Sequence, residues 1–317
     1  MKIAFRHVPF DEKQRAVITS MVCEAGYEAL WLSDAIPTKE DLADCEALLG
    51  YFPPALFKEL PTLKWVQTPA AGVERYCGDL YVNPDAILTN CSGAFGIAIA
   101  EYMFTGLLML MRLMPAYAKN QKEHIWNCEG TCRSVYGSLI TVVGMGDIGT
   151  NFAKRAKAFG ATVRGVRRTK GECPEYFDEV YTSENLLDAV KDADAVILCL
   201  PGTRSTTKMI SSEVIAAMKE DAIVVNCGRG YTVDQDALTK ALSEGKLAGA
   251  VLDVFESEPL PKDHPLWDME NVILTPHISG HDDDPVNIAQ IYSIFTTNLK
   301  HYFAGETLEH VVDRNLG

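Results

Sequence analysis

Three charged residues of complementary chemistry, Arg229, Glu258 and His277, each follow a short apolar run late in the chain. The runs are residues 222–226, 248–252 and 272–274, and each reads as a buried strand. In an open α/β sheet the C-terminal ends of the strands meet the ligand. A guanidinium placed there clamps an anion, and an imidazole moves a proton near neutral pH. Each residue also has a plainer reading. Arg229 fits a solvated turn, Glu258 an acidic loop (255–259), and His277 a hydrogen-bonded loop histidine. Together at successive strand ends they make an acid/base set with an anion clamp.

The element that organises this set lies upstream. Residues 139–143, LITVV, form a β-branched apolar run, and Gly144, Gly146 and Gly149 follow in G-x-G-x-x-G spacing before a helical stretch from Thr150. Strand, glycine turn and helix make a dinucleotide fingerprint. Gly144 permits a sharp turn, Gly146 leaves the backbone bare for a diphosphate, and Gly149 lets helix and strand close up. Eighteen residues after Gly149, where a carboxylate would take the ribose hydroxyls of NAD, stand Arg167 and Arg168. A cation there suits a 2′-phosphate, so NADP(H) is expected over NAD(H), although both arginines also fit a solvated loop.

Around the fingerprint, strands alternate with helices, which implies parallel sheets. Strands are expected at 2–6, 28–32, 47–50, 63–68 and 86–89, then at 139–143, 162–166, 194–200, 222–226, 248–252 and 272–274. The fold class is therefore α/β, with two doubly wound parallel-sheet domains. The first is residues 1–92 plus 286–317, because the apolar helical pattern of 285–303 is expected to return to it. The second, 93–285, is a Rossmann-type domain of about six strands inserted into a flavodoxin-like one. Tyr51, and the small-residue turn containing Ala71 and Gly72, sit at strand ends of the first domain. Tyr51 there lines a cleft or simply packs, and the bare N–H groups of Ala71 and Gly72 suit an anion.

The 317 residues carry 29 basic and 43 acidic side chains, for a net charge of −14. That balance argues against nucleic acid and anionic membrane as partners. The nine cysteines are scattered with no C-x-x-C pair, which suggests reduced thiols, a cytoplasmic location and no metal. Residues 94–111 carry one charge, Glu101, and match a membrane span in length. A helix buried in a core or in a subunit contact is the preferred reading, and it suggests a homodimer.

Five segments resemble the D-isomer-specific 2-hydroxyacid dehydrogenase family. They are VVGMGDIG (142–149), CLPGTRSTTKMI (199–210), NCGRGYTVDQDAL (226–238), LDVFESEPLP (252–261) and LTPHISG (274–280), in the family's order. GIAIAEY (96–102) and the arginine pair look most like the glyoxylate/hydroxypyruvate reductase branch. The first domain is similar only in layout and in the AAG turn at 70–72. Two departures stand out: Gly202 replaces the usual leucine after Leu-Pro, and Arg167 replaces the usual acidic ribose residue.

The resemblance implies reduction of a small 2-keto acid by NADPH, with NADH possible. His277 would be the proton donor, Glu258 its orienting partner, and Arg229 the clamp on the substrate carboxylate, completed by the Ala71 and Gly72 N–H groups, with the loop around Tyr51 among those that build the pocket for the substrate's side chain. It further implies that Asp147 and Ile148 meet the pyrophosphate and that Leu200, Pro201 and Thr206 line the adenosine. Cys227, Gly228, Asp253 and Gly280 would lie with the nicotinamide, Asp253 bonding its carboxamide. The alternatives are an NAD(H)-dependent dehydrogenase for a phosphoglycerate-type acid and a non-enzymatic, corepressor-like nicotinamide sensor. The first would want clustered cations in the first domain, where Lys58, Lys64 and Arg75 are dispersed in sequence. The intact Arg229, Glu258 and His277 set disfavours the second.

Overall fold

The computed structural model describes residues 1–281 and 283–314. The chain divides into two compact units, one of residues 1–95 with 281–317 and one of residues 96–280. The divisions fall a few residues from the 92/93 and 285/286 boundaries read from the sequence.

The first unit is built on a five-stranded sheet, β1 (Lys2–Arg6), β2 (Glu28–Trp31), β3 (Cys45–Gly50), β4 (Trp65–Gln67) and β5 (Ile87–Thr89). Its order is β2-β1-β3-β4-β5, all parallel, which is the flavodoxin-like arrangement. Central β3 is buried along its whole length, Glu46 included, and its other residues are apolar or small. The helix Pro285–Ala304 belongs to this unit. Asp284 caps it by accepting from the Val286 N–H, and Gly305 ends it at a φ of +70°. Its inward residues Ile291, Phe295 and Leu299 are fully buried, and Asn298 Nδ2 donates to Gln67 Oε1 at 2.8 Å.

The second unit carries β6 (Leu139–Val143), β7 (Thr162–Arg167), β8 (Glu179–Thr182), β9 (Ala195–Leu198), β10 (Ile223–Asn226), β11 (Gly249–Leu252) and β12 (Val272–Leu274). The parallel order is β12-β11-β10-β9-β6-β7-β8. The chain winds out from β6 in one direction and then returns to its other side, so the switch point lies between β6 and β9. The sheet has seven strands rather than the six expected. The additional one, β8, is a four-residue edge strand with no buried residue.

The apolar stretch expected as a long helix is the helix Gly96–Met111, which buries Ile99, Ala100, Met103, Phe104, Leu107 and Met111 at three- and four-residue spacing. Gly106 lets it approach β11 closely: a Cβ there would come within 2.6 Å of a Val251 methyl. No single helix among the described residues is long and apolar enough to cross a membrane. Phe104 meets Phe152 of the helix Asp147–Ala158 edge-on at 5.7 Å, which locks that helix to its neighbour. Each such buried ring contributes about 1.5–3 kcal/mol through removal from water.

Candidate active site

The glycine turn forms as the spacing requires. Gly144 adopts a φ of +104°, and a Cβ there would come within 2.5 Å of the Cys199 carbonyl. A Cβ at Gly149 would overlap the Gly144 carbonyl and reach 3.0 Å from Val142. Gly146 differs from both, since a Cβ there would meet nothing within 4 Å. Its bareness serves no internal packing and leaves the backbone open from outside. Gly146 is the N-cap of the helix Asp147–Ala158 and supplies no side-chain cap, so the N–H groups of the first turn suit a diphosphate. The Asp147 carboxylate is turned aside, accepting from the Gly96 N–H and from Asn151 Nδ2 at 3.0 Å. Only the backbone of Asp147, with Ile148 beside it, is left to face an anion.

At the end of β7, Arg167 is half-buried. Its Nη2 donates to the Glu172 carbonyl at 2.9 Å, and its buried Nε has no hydrogen-bond partner among the described residues. An orphaned guanidinium nitrogen at the ribose end of the fingerprint fits a phosphate oxygen. Arg168 is exposed.

The catalytic candidates follow three adjacent strands. After β10, the Arg229 carbonyl accepts from Thr232 Oγ1 (2.6 Å) and Asn226 Nδ2 (3.3 Å), while its Nη1 donates to the Gly228 carbonyl at 2.9 Å. A Cβ at Gly230 would overlap the Phe255 backbone, so this loop is pressed against the loop after β11. In that second loop the Phe255 N–H donates to Glu258 Oε1 at 3.0 Å. The other oxygen, Oε2, lies 2.8 Å from His277 Nδ1. The imidazole is half exposed, so Nε2 is the nitrogen left to face a substrate. His277 adopts a φ of +56°, a left-handed conformation that a non-glycine residue keeps only when its surroundings impose it.

Asp253 imposes it. This fully buried residue accepts the His277 N–H at its carbonyl (2.9 Å). Its carboxylate accepts from Thr275 Oγ1 (2.6 Å) and from the Ile278 and Ser279 N–H groups (2.8 Å each). Tyr102, from the helix Gly96–Met111, hydrogen-bonds the same Thr275 hydroxyl. Asp253, expected to bond a carboxamide, also holds with its carboxylate the histidine turn that ends at Gly280. Thr206 behaves similarly. Its hydroxyl closes the 201–206 turn through the Pro201 carbonyl at 2.7 Å. Leu200, Cys227 and Gly228 are buried at the ends of β9 and β10, and Pro201 is exposed. Burial drives the Cys227 thiol well above its ordinary range, which keeps it protonated. Tyr102 and Thr275 were not singled out from the sequence. The only signal for either was membership of the GIAIAEY and LTPHISG segments.

The residues expected to touch substrate from the first unit lie at its strand ends. Arg6 donates to the Tyr51 carbonyl at 2.7 Å, and the Arg75 guanidinium sits 5.2 Å from the Tyr51 ring centroid. The turn after β4 is pinned by the Thr68 hydroxyl on the Ala70 carbonyl and by Asn90 Nδ2 on the Ala71 carbonyl, at 3.1 and 2.7 Å. Ala71 is exposed and Gly72 half-buried.

A parallel sheet with a glycine-capped helix at its switch point, and a paired histidine and glutamate after β11 and β12 of the same sheet, is the arrangement of a nicotinamide-dependent oxidoreductase. Residues 104–279 match the family described as D-isomer specific 2-hydroxyacid dehydrogenase, NAD binding domain, and the chain belongs to that family. A glyoxylate reductase of Korarchaeum cryptofilum is 32% identical over 96% of this chain and 97% of its own length. A D-3-phosphoglycerate dehydrogenase of Methanocaldococcus jannaschii is 35% identical over 79% of this chain but 48% of its own length. Among solved structures, a D-isomer specific 2-hydroxyacid dehydrogenase family protein from Aeromonas salmonicida matches with a TM-score of 0.87 and 30% identity, covering 99% of both chains. An NADPH-dependent glyoxylate/hydroxypyruvate reductase from Sinorhizobium meliloti, in complex with NADP and sulfate, matches with a TM-score of 0.82 and 26% identity, again covering 99% of both.

Proposed function

We propose that this enzyme reduces a small 2-keto acid of the glyoxylate or hydroxypyruvate type, with NADPH preferred over NADH. The observation that carries the reading is the Glu258–His277 pair at 2.8 Å, on the same parallel sheet as the helix that Gly146 begins without a side-chain cap. Bound NADPH supplies the hydride that reaches the carbonyl carbon. Protonated His277 gives its Nε2 proton to the carbonyl oxygen, while Glu258 holds Nδ1–H and stabilises the imidazolium. Arg229 grips the substrate carboxylate and draws electron density from the carbonyl. Tyr51 and the N–H groups of Ala71 and Gly72 are the first unit's candidates for binding substrate. Gly144, Gly146, Ile148 and Gly149 hold the diphosphate, and Arg167 with Arg168 holds the 2′-phosphate. Leu200, Pro201, Cys227, Gly228 and Gly280 supply walls and backbone groups to the cofactor. The reading includes a homodimer acting in the cytoplasm on a small molecule.

The preference for NADPH is supported by the unpartnered Arg167 Nε and by the NADP complex of the Sinorhizobium relative. The test is a panel of rates for glyoxylate, hydroxypyruvate, pyruvate and phosphohydroxypyruvate with each cofactor. Fast turnover of the first two with NADPH is expected. A preference for the phosphorylated acid, or for NADH, would overturn the substrate or cofactor assignment respectively.

A further inference from the structure

Residue 202 is glycine at the end of the β9 loop, and the space a side chain would take there is already filled. A Cβ on Gly202 would overlap the Tyr231 phenol oxygen, approach the ring carbon Cζ to 2.7 Å, and reach 3.1 Å from Arg229 Cγ. The phenol end of Tyr231 and the aliphatic stem of Arg229 therefore crowd onto the same face of Gly202. The backbone beneath both side chains is immobilised. The Tyr231 carbonyl accepts from the Lys208 N–H at 2.9 Å, the Arg229 carbonyl accepts from Thr232, and Gly230 between them is pressed on Phe255.

We propose that Tyr231 is a positioning residue for Arg229, and that glycine at 202 is what allows it to be one. An arginine side chain has four rotatable bonds before its guanidinium. One held along its stem loses less freedom when it grips a carboxylate than one waving in water. Tyr231 supplies that restraint from one side, Gly202 offers the floor, and the Gly228 carbonyl takes Nη1 from the other. The phenol ring brings the needed area with only two torsions of its own to fix. The inference rests on the reading of Arg229 as the substrate-carboxylate clamp.

The experiment compares Tyr231→Ala, Tyr231→Phe, Gly202→Leu, the Tyr231→Ala/Gly202→Leu pair and Arg229→Gln, all in the full chain. The readouts are kcat, KM for the keto acid, inhibition by oxamate as a carboxylate probe, NADPH affinity and thermal unfolding. Tyr231→Ala should raise KM and the oxamate inhibition constant by about tenfold with a smaller change in kcat, the signature of lost ground-state binding. Tyr231→Phe should recover most of that affinity. Gly202→Leu should evict the phenol and raise KM, and the pair should recover part of the loss because the leucine takes the vacated space. An unchanged KM in Tyr231→Ala, a Tyr231→Phe as impaired as the alanine variant, or strictly additive losses in the pair would overturn the proposal. Should Arg229→Gln leave KM and oxamate inhibition unaltered, the clamp assignment itself fails. If it raises both while Tyr231→Ala does not, the clamp stands and only the role of Tyr231 falls.

Discussion

His277 Nδ1 lies 2.8 Å from Glu258 Oε2, and the opposite oxygen of the same carboxylate is held by the Phe255 N–H at 3.0 Å. The carboxylate is thus anchored at one oxygen and delivers charge through the other, which aims the imidazole. His277→Gln should cut kcat for keto-acid reduction by about 10²- to 10⁴-fold. NADPH binding, read by nucleotide fluorescence, should be unaffected. Glu258→Gln should cost less, about ten- to a hundredfold, since the imidazole stays in place without its counter-charge. Near-normal turnover in the histidine variant would remove it from proton transfer.

The left-handed His277 depends on a relay that begins on another element. Tyr102 hydrogen-bonds Thr275, Thr275 donates to Asp253 at 2.6 Å, and Asp253 holds the backbone from His277 to Ser279. With the Thr275 proton committed to Asp253, Tyr102 must be the donor. Burial pushes its phenol up to about 12, so that proton stays in place across the working range. Tyr102→Phe should therefore destabilise the protein by about 0.5–1.5 kcal/mol in urea titrations. It should also lower kcat modestly with little change in cofactor affinity. A variant as stable as the parent would mean the relay contributes nothing.

Arg167 stands at the last position of β7, opposite Thr182 of β8, with its Nε unpartnered among the described residues. Arg167→Asp replaces a phosphate-binding cation with a ribose-binding acid. The ratio of kcat/KM for NADPH to that for NADH should fall by about a hundredfold. The two ratios are measured under one buffer, and equality between variant and parent would place the arginine outside the cofactor site.

These relationships differ in how far the sequence discloses them. The glycine turn could be read because φ above zero and close backbone approach leave glycine as the economical choice, and Leu139–Val143, β-branched in four of its five residues, announces the strand before it. The Glu258–His277 pairing followed from family likeness and is matched by the 2.8 Å contact. Edge strand β8 was missed because EVYT is short and has no buried face to impose alternation. The Tyr102–Thr275 bond joins residues 173 positions apart, and no local pattern encodes such a meeting. Nor does the sequence reveal that Asp253 spends its carboxylate on the loop after β12 and Thr206 its hydroxyl on its own turn. Either side chain is equally well suited to a ligand until the neighbouring N–H groups are in place.

Glu46 offers a test far from the chemistry. Its side chain is 8% exposed, and it accepts from Tyr302 Oη at 2.6 Å and Tyr27 Oη at 3.2 Å, with Lys64 Nζ 3.3 Å away. Burial alone would push its carboxyl up, but the hydrogen bonds from Tyr302, Lys64 and Tyr27 outweigh this and hold it below the ordinary 4.5. A carboxyl lowered in the folded state stabilises the protein above its unfolded value, and that stabilisation vanishes as pH falls through the folded value. Glu46→Gln should accordingly unfold more easily by about 1–2 kcal/mol at pH 7, where the parent carboxylate is fully charged. The gap between the two melting temperatures should hold down to about pH 5 and close below that as the parent takes up its proton. A gap that stays constant from pH 7 to pH 3 would show that Glu46 acts through shape rather than charge. A gap that widens on acidification would reverse the sign assigned to its carboxyl.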